Sequence, residues 1–357
     1  MTALLSVRDL SVRFTVRRAR SWHRVAAVTD VTFDLAPGEC LALVGESGCG
    51  KSVLASALLG LLPANAATAG TALLTTTGAD GVDLLSAGER VLAERVRGRR
   101  VGLIPQSPAG HLTPVRTIRS QLAETIRELT GRPRAELGAA VPAAAERAAF
   151  PADHLDRHPH ELSGGLAQRA ATALALVADA PLLLADEPTT GLDRDLVERT
   201  VTELRRQVDD GHALLLITHD LAAAELVADR VAVMYAGRIV ELTDAASFFG
   251  SPGPRHPYAR RLLNALPTRA FTPIPGMPPE LDALPSGCAF APRCTAATSV
   301  CATDLPPLEN GTACHHPHTP ILNLATDSPI RGEHTESAQG STGPSSEHPE
   351  KNDALSS

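Results

Sequence analysis

The chain of 357 residues carries 33 Lys and Arg against 40 Asp and Glu, a net charge of −7, with 43% hydrophobic and 20% charged residues. That is an ordinary soluble globular composition, long enough for one large domain plus a smaller one, and it lacks the overall basic footprint of a nucleic-acid binder. No run reaches the roughly 18 apolar residues needed to span a bilayer, and the N-terminus (LLSVRDLSVRF) alternates instead of forming a secretion signal.

A cytosolic protein is therefore expected, with any membrane role supplied through a partner. Two local basic clusters, RRARSWHR at 17–24 and RVRGRR at 95–100, read as solvated loop charge. Six cysteines without a secretion signal argue for thiol or metal chemistry over a disulfide framework.

Residues 4–16 and 25–44 alternate like strands of an antiparallel sheet, with the arginine-rich segment as their hairpin loop and Pro37-Gly38 as a turn. Phe14 lies about 30 residues ahead of a glycine-rich loop and is placed either to stack on an adenine ring or to pack in the core. Trp22 is a weaker candidate for the same stacking role.

The apolar run Cys40–Val44 leads into GESGCGKS, which comprises Gly45, Glu46, Ser47, Gly48, Cys49, Gly50, Lys51 and Ser52, and then into the helical VLASALL. Strand, glycine-rich turn and helix are the context in which G-x-x-x-x-G-K-S becomes a phosphate cradle. Glycines let the backbone approach, N–H groups face the anion, Lys51 adds a point charge and Ser52 would hold Mg²⁺. Arginine supplies 31 of the 33 basic residues, so Lys51 is the only lysine outside the polar tail. Its compact ammonium fits between phosphates where a planar guanidinium does not.

Between 107 and 178 the sequence turns helical and alanine-rich, as a helical insert in an α/β core. Within it, LSGG precedes an apolar helix, with Ser163 in position as an N-cap and Gly164 and Gly165 exposing backbone donors that suit an anion. PLLLADEPTTGLD at 181–193 is a buried strand ending in Asp186 and Glu187, at the strand edge where ligands of parallel sheets bind. After a phosphate loop, Asp186 is placed to hold the Mg²⁺ shell and Glu187 to orient or deprotonate the attacking water.

ALLLITHD at 213–220 ends in His219, a candidate sensor of the γ-phosphate, and VAVMYAGRIVEL at 231–242 reads as a closing hairpin turning at Ala236-Gly237. After about 246 prolines crowd, and Cys288, Cys294, Cys301 and Cys314 fall within 27 residues, separated by five, six and twelve. Unrelated thiols, a structural Zn²⁺ with His315 or His316 as alternative ligands, and a four-iron four-sulfur cluster compete there. The absence of a close C-x₂₋₄-C pair weighs against zinc, and wider spacing suits the larger cube. Beyond about 321 the composition is that of a disordered tail.

In this order the motifs resemble the ATP-binding subunit of an ABC transporter. GESGCGKS matches Walker A, Gln106 in IPQSP the Q-loop, LSGGLAQR the signature, LLLADE Walker B, Thr190 to Asp193 the D-loop and His219 the switch histidine. The signature departs in carrying Leu166 where glutamine is frequent. The C-terminal RHPYARRLLNALP, IPGMPPEL and GCAFAPRC resemble the extension of oligopeptide, dipeptide and nickel importer ATPases.

The resemblance implies an α/β fold: a P-loop NTPase (RecA-like) core with an antiparallel β subdomain and a helical signature subdomain. This would occupy 1–245, a small irregular cysteine-rich extension 246–320 and the tail 321–357. It implies ATP and Mg²⁺ as ligands, with Gln106 beside Glu187 and His219 in catalysis and at the metal with Ser52 and Asp186. It places Ser163, Gly164, Gly165 and Asp193 at a second nucleotide shared head to tail with another ATPase subunit, a paralogue or a second copy.

Two permease subunits and an extracytoplasmic solute-binding protein would complete a peptide importer, with this chain peripheral at the cytoplasmic face of the membrane and no nucleic-acid partner. Nickel chelates or another small solute are the alternative cargo. A soluble DNA- or ribosome-linked ATPase fits less well, because the chain has one ATPase half and only about 110 residues between Ser52 and Ser163. The importer ATPases it resembles carry an iron–sulfur cluster at the matching cysteines, which favours the cluster over zinc.

Overall fold

The computed structural model describes residues 3–18, 21–76 and 80–317. The tail expected from 321 onward lies outside the described residues.

Strands β1 (Leu5–Arg18), β2 (Ser21–Leu35), β4 (Ala66–Leu74) and β5 (Val82–Asp83) form an antiparallel sheet in the order β2-β1-β4-β5. β1 and β2 reach further than their alternation suggests. Arg17 pairs with Trp22 and Arg18 with Ser21, so most of the arginine-rich segment is strand and not hairpin loop. Three register shifts absorb the mismatch along the ladder.

The second sheet runs β10-β9-β3-β8-β7-β6, built from β3 (Cys40–Val44), β6 (Val101–Ile104), β7 (Leu182–Asp186), β8 (Ala213–Thr218), β9 (Arg230–Tyr235) and β10 (Arg238–Asp244). All neighbours are parallel except β10 on β9, which closes through the expected turn with Ala236 at φ 48° and Gly237 at φ 82°. Every residue of β3 and β8 is buried, as continuous apolar strands covered on both faces must be.

Period-2 alternation divides those faces. Leu41, Leu43, Leu182 and Leu184 join a core under the antiparallel sheet and α1 (Lys51–Leu58). Cys40, Leu183 and Ala185 face a second core with the helical segment. α2 (Glu89–Val91), which continues as a π-helical turn over Leu92–Val96, precedes that segment, and the single turn α3 (Pro108–His111) opens it. The segment also holds α4 (Ile118–Thr130), α5 (Leu137–Arg147) and α6 (Gly164–Ala175), and α7 (Arg194–Asp209) shares its core. Arg97, from the second basic cluster, donates to the carbonyls of Leu59 and Gly60 at 2.8 and 3.0 Å and ion-pairs with Glu89. It fastens the end of α1 instead of serving as free loop charge.

A third core was not foreseen. α8 (Leu221–Val227) is followed by α9 (Ala245–Phe249) and α10 (Pro257–Asn264), and only after these does the expected irregular stretch begin, up to α11 (Ser299–Thr303). Phe248, Tyr258 and Phe290 are fully buried against Ala42, Val44, Val231, Val233 and Tyr235. At roughly 1.5–3 kcal/mol for each large side chain removed from water, these aromatics hold the C-terminal region onto β3 and β9. Glu241, 1% exposed, adds a polar fastening by accepting the backbone N–H groups of Arg255 and His256 at 2.8 and 2.7 Å.

Candidate nucleotide site

Because β3, β8 and β7 are adjacent and parallel, their C-terminal ends bring GESGCGKS, Asp186-Glu187 and His219 to one sheet edge. The loop wraps tightly between β3 and α1. A Cβ on Gly50, at φ 108°, would stand 2.2 Å from the Ala27 carbonyl oxygen, whereas one on Gly48 would meet nothing within 4 Å. Backbone therefore packs behind the loop and open space lies before it. No side chain caps α1, so its first N–H groups remain available to an anion.

Lys51, 6% exposed, donates Nζ–H to the carbonyls of Gly45 and Glu46 at 2.8 and 3.3 Å. The Ser52 hydroxyl donates to Asp186 Oδ1 at 3.1 Å, joining loop and strand end across 134 residues. Burial raises the Asp186 carboxyl pKa, and the Glu187 charge pushes the same way against Ser52 and Lys51. This desolvated carboxyl beside a hydroxyl is suited to a divalent cation.

Glu187 is buried and sits at φ 50°, a conformation that costs a non-glycine residue about 1–3 kcal/mol. Its N–H donates to the Ile217 carbonyl, and its Oε2 lies 2.6 Å from His219 Nδ1. The carboxylate is thus fixed between β7 and β8 with His219 half exposed beside it.

The remaining expected residues are spread more widely. Gln106 lies exposed in the bend after β6. Ser163 caps α6 by accepting the Leu166 N–H at 3.4 Å, with Gly164 exposed next to it. Ala167, Ala170 and Ala173 of α6 belong to the core on the face of the sheet opposite the one that receives Leu54 of α1. Asp193 caps α7 by accepting the Leu196 N–H at 3.0 Å. Phe14 packs partly buried against the first core, the plainer of its two readings, and Trp22 is exposed.

Sequence reasoning missed the residues that hold the loop from behind. The Glu46 N–H donates to the Tyr258 hydroxyl at 2.9 Å, and the Glu46 carboxylate receives both terminal nitrogens of Arg293 at 2.8 and 3.1 Å. No periodic signal marks such pairs. The nearest hint was an arginine directly before Cys294.

Cys288, Cys294, Cys301 and Cys314 line one cavity with His256, Phe290, His315 and His316, and all four are free thiols. Burial pushes the Cys314 thiol up to about 11, and the three neighbouring cysteines add to the rise. Among the described residues, however, no group of three or more His, Cys, Asp or Glu converges to hold a metal ion. The zinc alternative therefore finds no ligand set among the described residues, and one ring nitrogen of each of its proposed extra ligands is engaged. His315 Nε2 lies 2.9 Å from the Asp304 carbonyl, and His316 Nε2 lies 2.8 Å from the Thr298 hydroxyl. The four-iron cluster has no formed ligand set either. In its favour stand the shared cavity, the four sulfur donors and His256, whose buried Nε2 has no partner among the described residues. His256 Nδ1 accepts the Tyr258 N–H, so in the neutral ring the unpartnered Nε2 carries the proton.

Comparison with known proteins gives the family. The ABC transporter family model matches residues 28–190, and the model of the oligopeptide/dipeptide transporter C-terminal region matches 240–301. A putative peptide import ATP-binding protein of Brucella ovis is 40% identical over 84% of this chain and 92% of its own length. The oligopeptide transport ATP-binding protein OppD of Escherichia coli is 38% identical over 90% and 95%. Among solved structures, a bacterial ABC transporter cassette determined as a dimer superposes with a TM-score of 0.58 at 22% identity, covering 68% of this chain and 98% of that one. Among the described residues no helix is long and apolar enough to cross a membrane. With its P-loop, its acidic strand end and its C-terminal region all accounted for, the chain belongs to the ABC transporter ATP-binding family, in the branch carrying the oligopeptide/dipeptide transporter C-terminal region.

Proposed function

We propose that the chain is the ATP-hydrolysing subunit that drives a peptide importer from the cytoplasmic face of the membrane. The observation that carries this reading is the match of residues 240–301 to the oligopeptide/dipeptide transporter C-terminal region, joined to relatives whose names say peptide import. In this reading residues 1–245 are the ATPase domain, with 107–178 its helical subdomain, and 246–320 the extension.

Lys51 and the amides of Gly48 to Ser52 bind the phosphates, while Ser52, Asp186 and Gln106 serve the Mg²⁺. Glu187 orients and deprotonates the attacking water, with its carboxylate directed by His219. Ser163, Gly164, Gly165 and Asp193 close on the nucleotide of a second ATPase subunit. Two permeases receive the motion, and an extracytoplasmic solute-binding protein delivers cargo. Phe14 is the candidate beneath the adenine.

Cys288, Cys294, Cys301 and Cys314 would hold an iron–sulfur cluster that fastens the extension, supported by their common cavity and the free Nε2 of His256. Such a cluster would supply bonds between segments that share few hydrogen-bonded elements.

The test is reconstitution in proteoliposomes with the neighbouring permeases and solute-binding protein. Peptide-loaded binding protein should stimulate ATP hydrolysis and drive peptide uptake. Stimulation by nickel chelates and not by peptides would overturn the cargo, and activity without permeases but with DNA or ribosomes would overturn the class.

A further inference from the structure

Arg293 lies 247 residues from Glu46 in sequence, yet its side chain is 5% exposed and makes four hydrogen bonds, two of them to Glu46 of the phosphate loop. Nη1 donates to Glu46 Oε2 at 2.8 Å and to the Tyr235 hydroxyl at 3.1 Å, and Nη2 donates to Glu46 Oε1 at 3.1 Å. Nε donates to the Pro275 carbonyl at 2.9 Å. The guanidinium also lies 5.8 Å from the ring centres of Tyr235 and Phe290. A buried, bidentate and stacked arginine of this kind has one available geometry and loses little entropy in holding it.

Its partner is the second residue of the loop. Every polar group of Glu46 is engaged: the N–H by the Tyr258 hydroxyl, the carbonyl by Lys51 Nζ and the carboxylate by Arg293. An unneutralised carboxylate at that position would repel a polyphosphate bound a few residues away and would be free to draw Lys51 from it. Arg293 removes the net charge and turns the carboxylate toward β9 and the C-terminal region.

We infer that Arg293 is a positioning residue for nucleotide binding: the C-terminal region sets the shape and charge of the phosphate loop through the Arg293–Glu46 pair. This rests on the reading of Gly45 to Ser52 as the ATP site. It assigns the extension a part in the ATPase reaction itself, because any displacement of the segment that carries Arg293 displaces the loop.

The test is made in the intact transporter complex, following ATP hydrolysis against ATP concentration for Arg293→Gln, Arg293→Lys, Glu46→Gln and the double variant. A saturable wild-type response establishes the ATP site separately, so its failure would indict that reading and not this one. Arg293→Gln should raise KM for ATP about tenfold and leave kcat within about twofold, the size expected for losing one charge-assisted pair. Arg293→Lys should recover only part of the loss, since an ammonium cannot make the fork. Glu46→Gln leaves the aromatic core untouched and removes the competing carboxylate, so the double variant should recover most of what Arg293→Gln loses in KM. Multiplying effects in the double variant, or a double variant no better than Arg293→Gln alone, would overturn the proposal and leave Arg293 a mere fastener of the fold.

Discussion

Replacing Glu187 by glutamine isolates one chemical property of the site. The side chain keeps its length, and an amide oxygen can still accept from His219 Nδ1, whose present distance to the carboxylate is 2.6 Å. The buried position and positive φ are unchanged, so the cost to the fold should stay within about 1 kcal/mol, the worth of one altered hydrogen bond. Lys51 and Ser52 hydrogen-bond Gly45, Glu46 and Asp186 and not Glu187, so the groups expected to contact the phosphates are not touched. What disappears is the basic oxygen. Loss of a positioned base lowers turnover roughly 100-fold or more, about 2.7 kcal/mol of barrier. Phosphate release by the purified complex should fall by at least that factor, while the protein retains ATP and accumulates as a closed dimer in size-exclusion chromatography. Turnover above about a tenth of wild type would refute Glu187 as the group that acts on water.

Gly50→Ala sets a Cβ 2.2 Å from the Ala27 carbonyl at a φ of 108°, so it should abolish nucleotide binding and cost more than about 2 kcal/mol, read by calorimetry and urea unfolding. Glu241→Gln leaves one of two backbone N–H groups facing an amide NH₂ and should destabilise the protein by about 1–3 kcal/mol; an unchanged unfolding midpoint would refute the fastening role. Because burial raises the Glu241 carboxyl, the folded state holds that proton more tightly than the unfolded chain. The associated stability is present at low pH and lost as pH rises through the folded value, so the penalty of Glu241→Gln should shrink as pH rises. Anaerobic purification should give a brown protein with broad absorbance near about 400 nm and about four irons per chain, lost in Cys294→Ser; a colourless protein with one zinc would decide for the other metal.

The parts of the site legible in the sequence are those written in local pattern. Continuous apolar runs gave β3, β7 and β8, a glycine-rich turn gave the loop, and acids or a histidine at the strand ends placed Asp186, Glu187 and His219 at one edge, where the parallel order β3-β8-β7 brings them. Ser163 and the Ala236-Gly237 turn were readable for the same reason, since caps and turns are short-range chemistry. The end of the β1–β2 hairpin was misjudged because Arg17 and Arg24 are strand residues with solvated side chains, and charge alone does not distinguish an exposed strand edge from a loop. The C-terminal aromatic core was hidden among prolines. Tyr258 and Phe290 follow no period, and their value comes from meeting Tyr235 across the fold at 4.4 and 5.4 Å.

That long-range packing bears directly on how the phosphate loop is prepared for its ligand. Lys51 is nearly buried, and its ammonium is held by the carbonyls of Gly45 and Glu46, so binding a phosphate exchanges two neutral acceptors for anionic ones. The ammonium gains an oppositely charged acceptor in place of neutral carbonyls, and that Coulomb attraction makes the exchange favourable without moving the lysine far. It remains favourable only while the loop's own carboxylate does not compete for the same ammonium. Glu46 is that carboxylate, and it is occupied by a guanidinium delivered from the C-terminal region and backed by Tyr235 and Phe290. The apolar core of the extension and the charge state of the phosphate loop are therefore one structural problem: loosening the aromatic packing releases Arg293, and releasing Arg293 returns a competing negative charge to the loop.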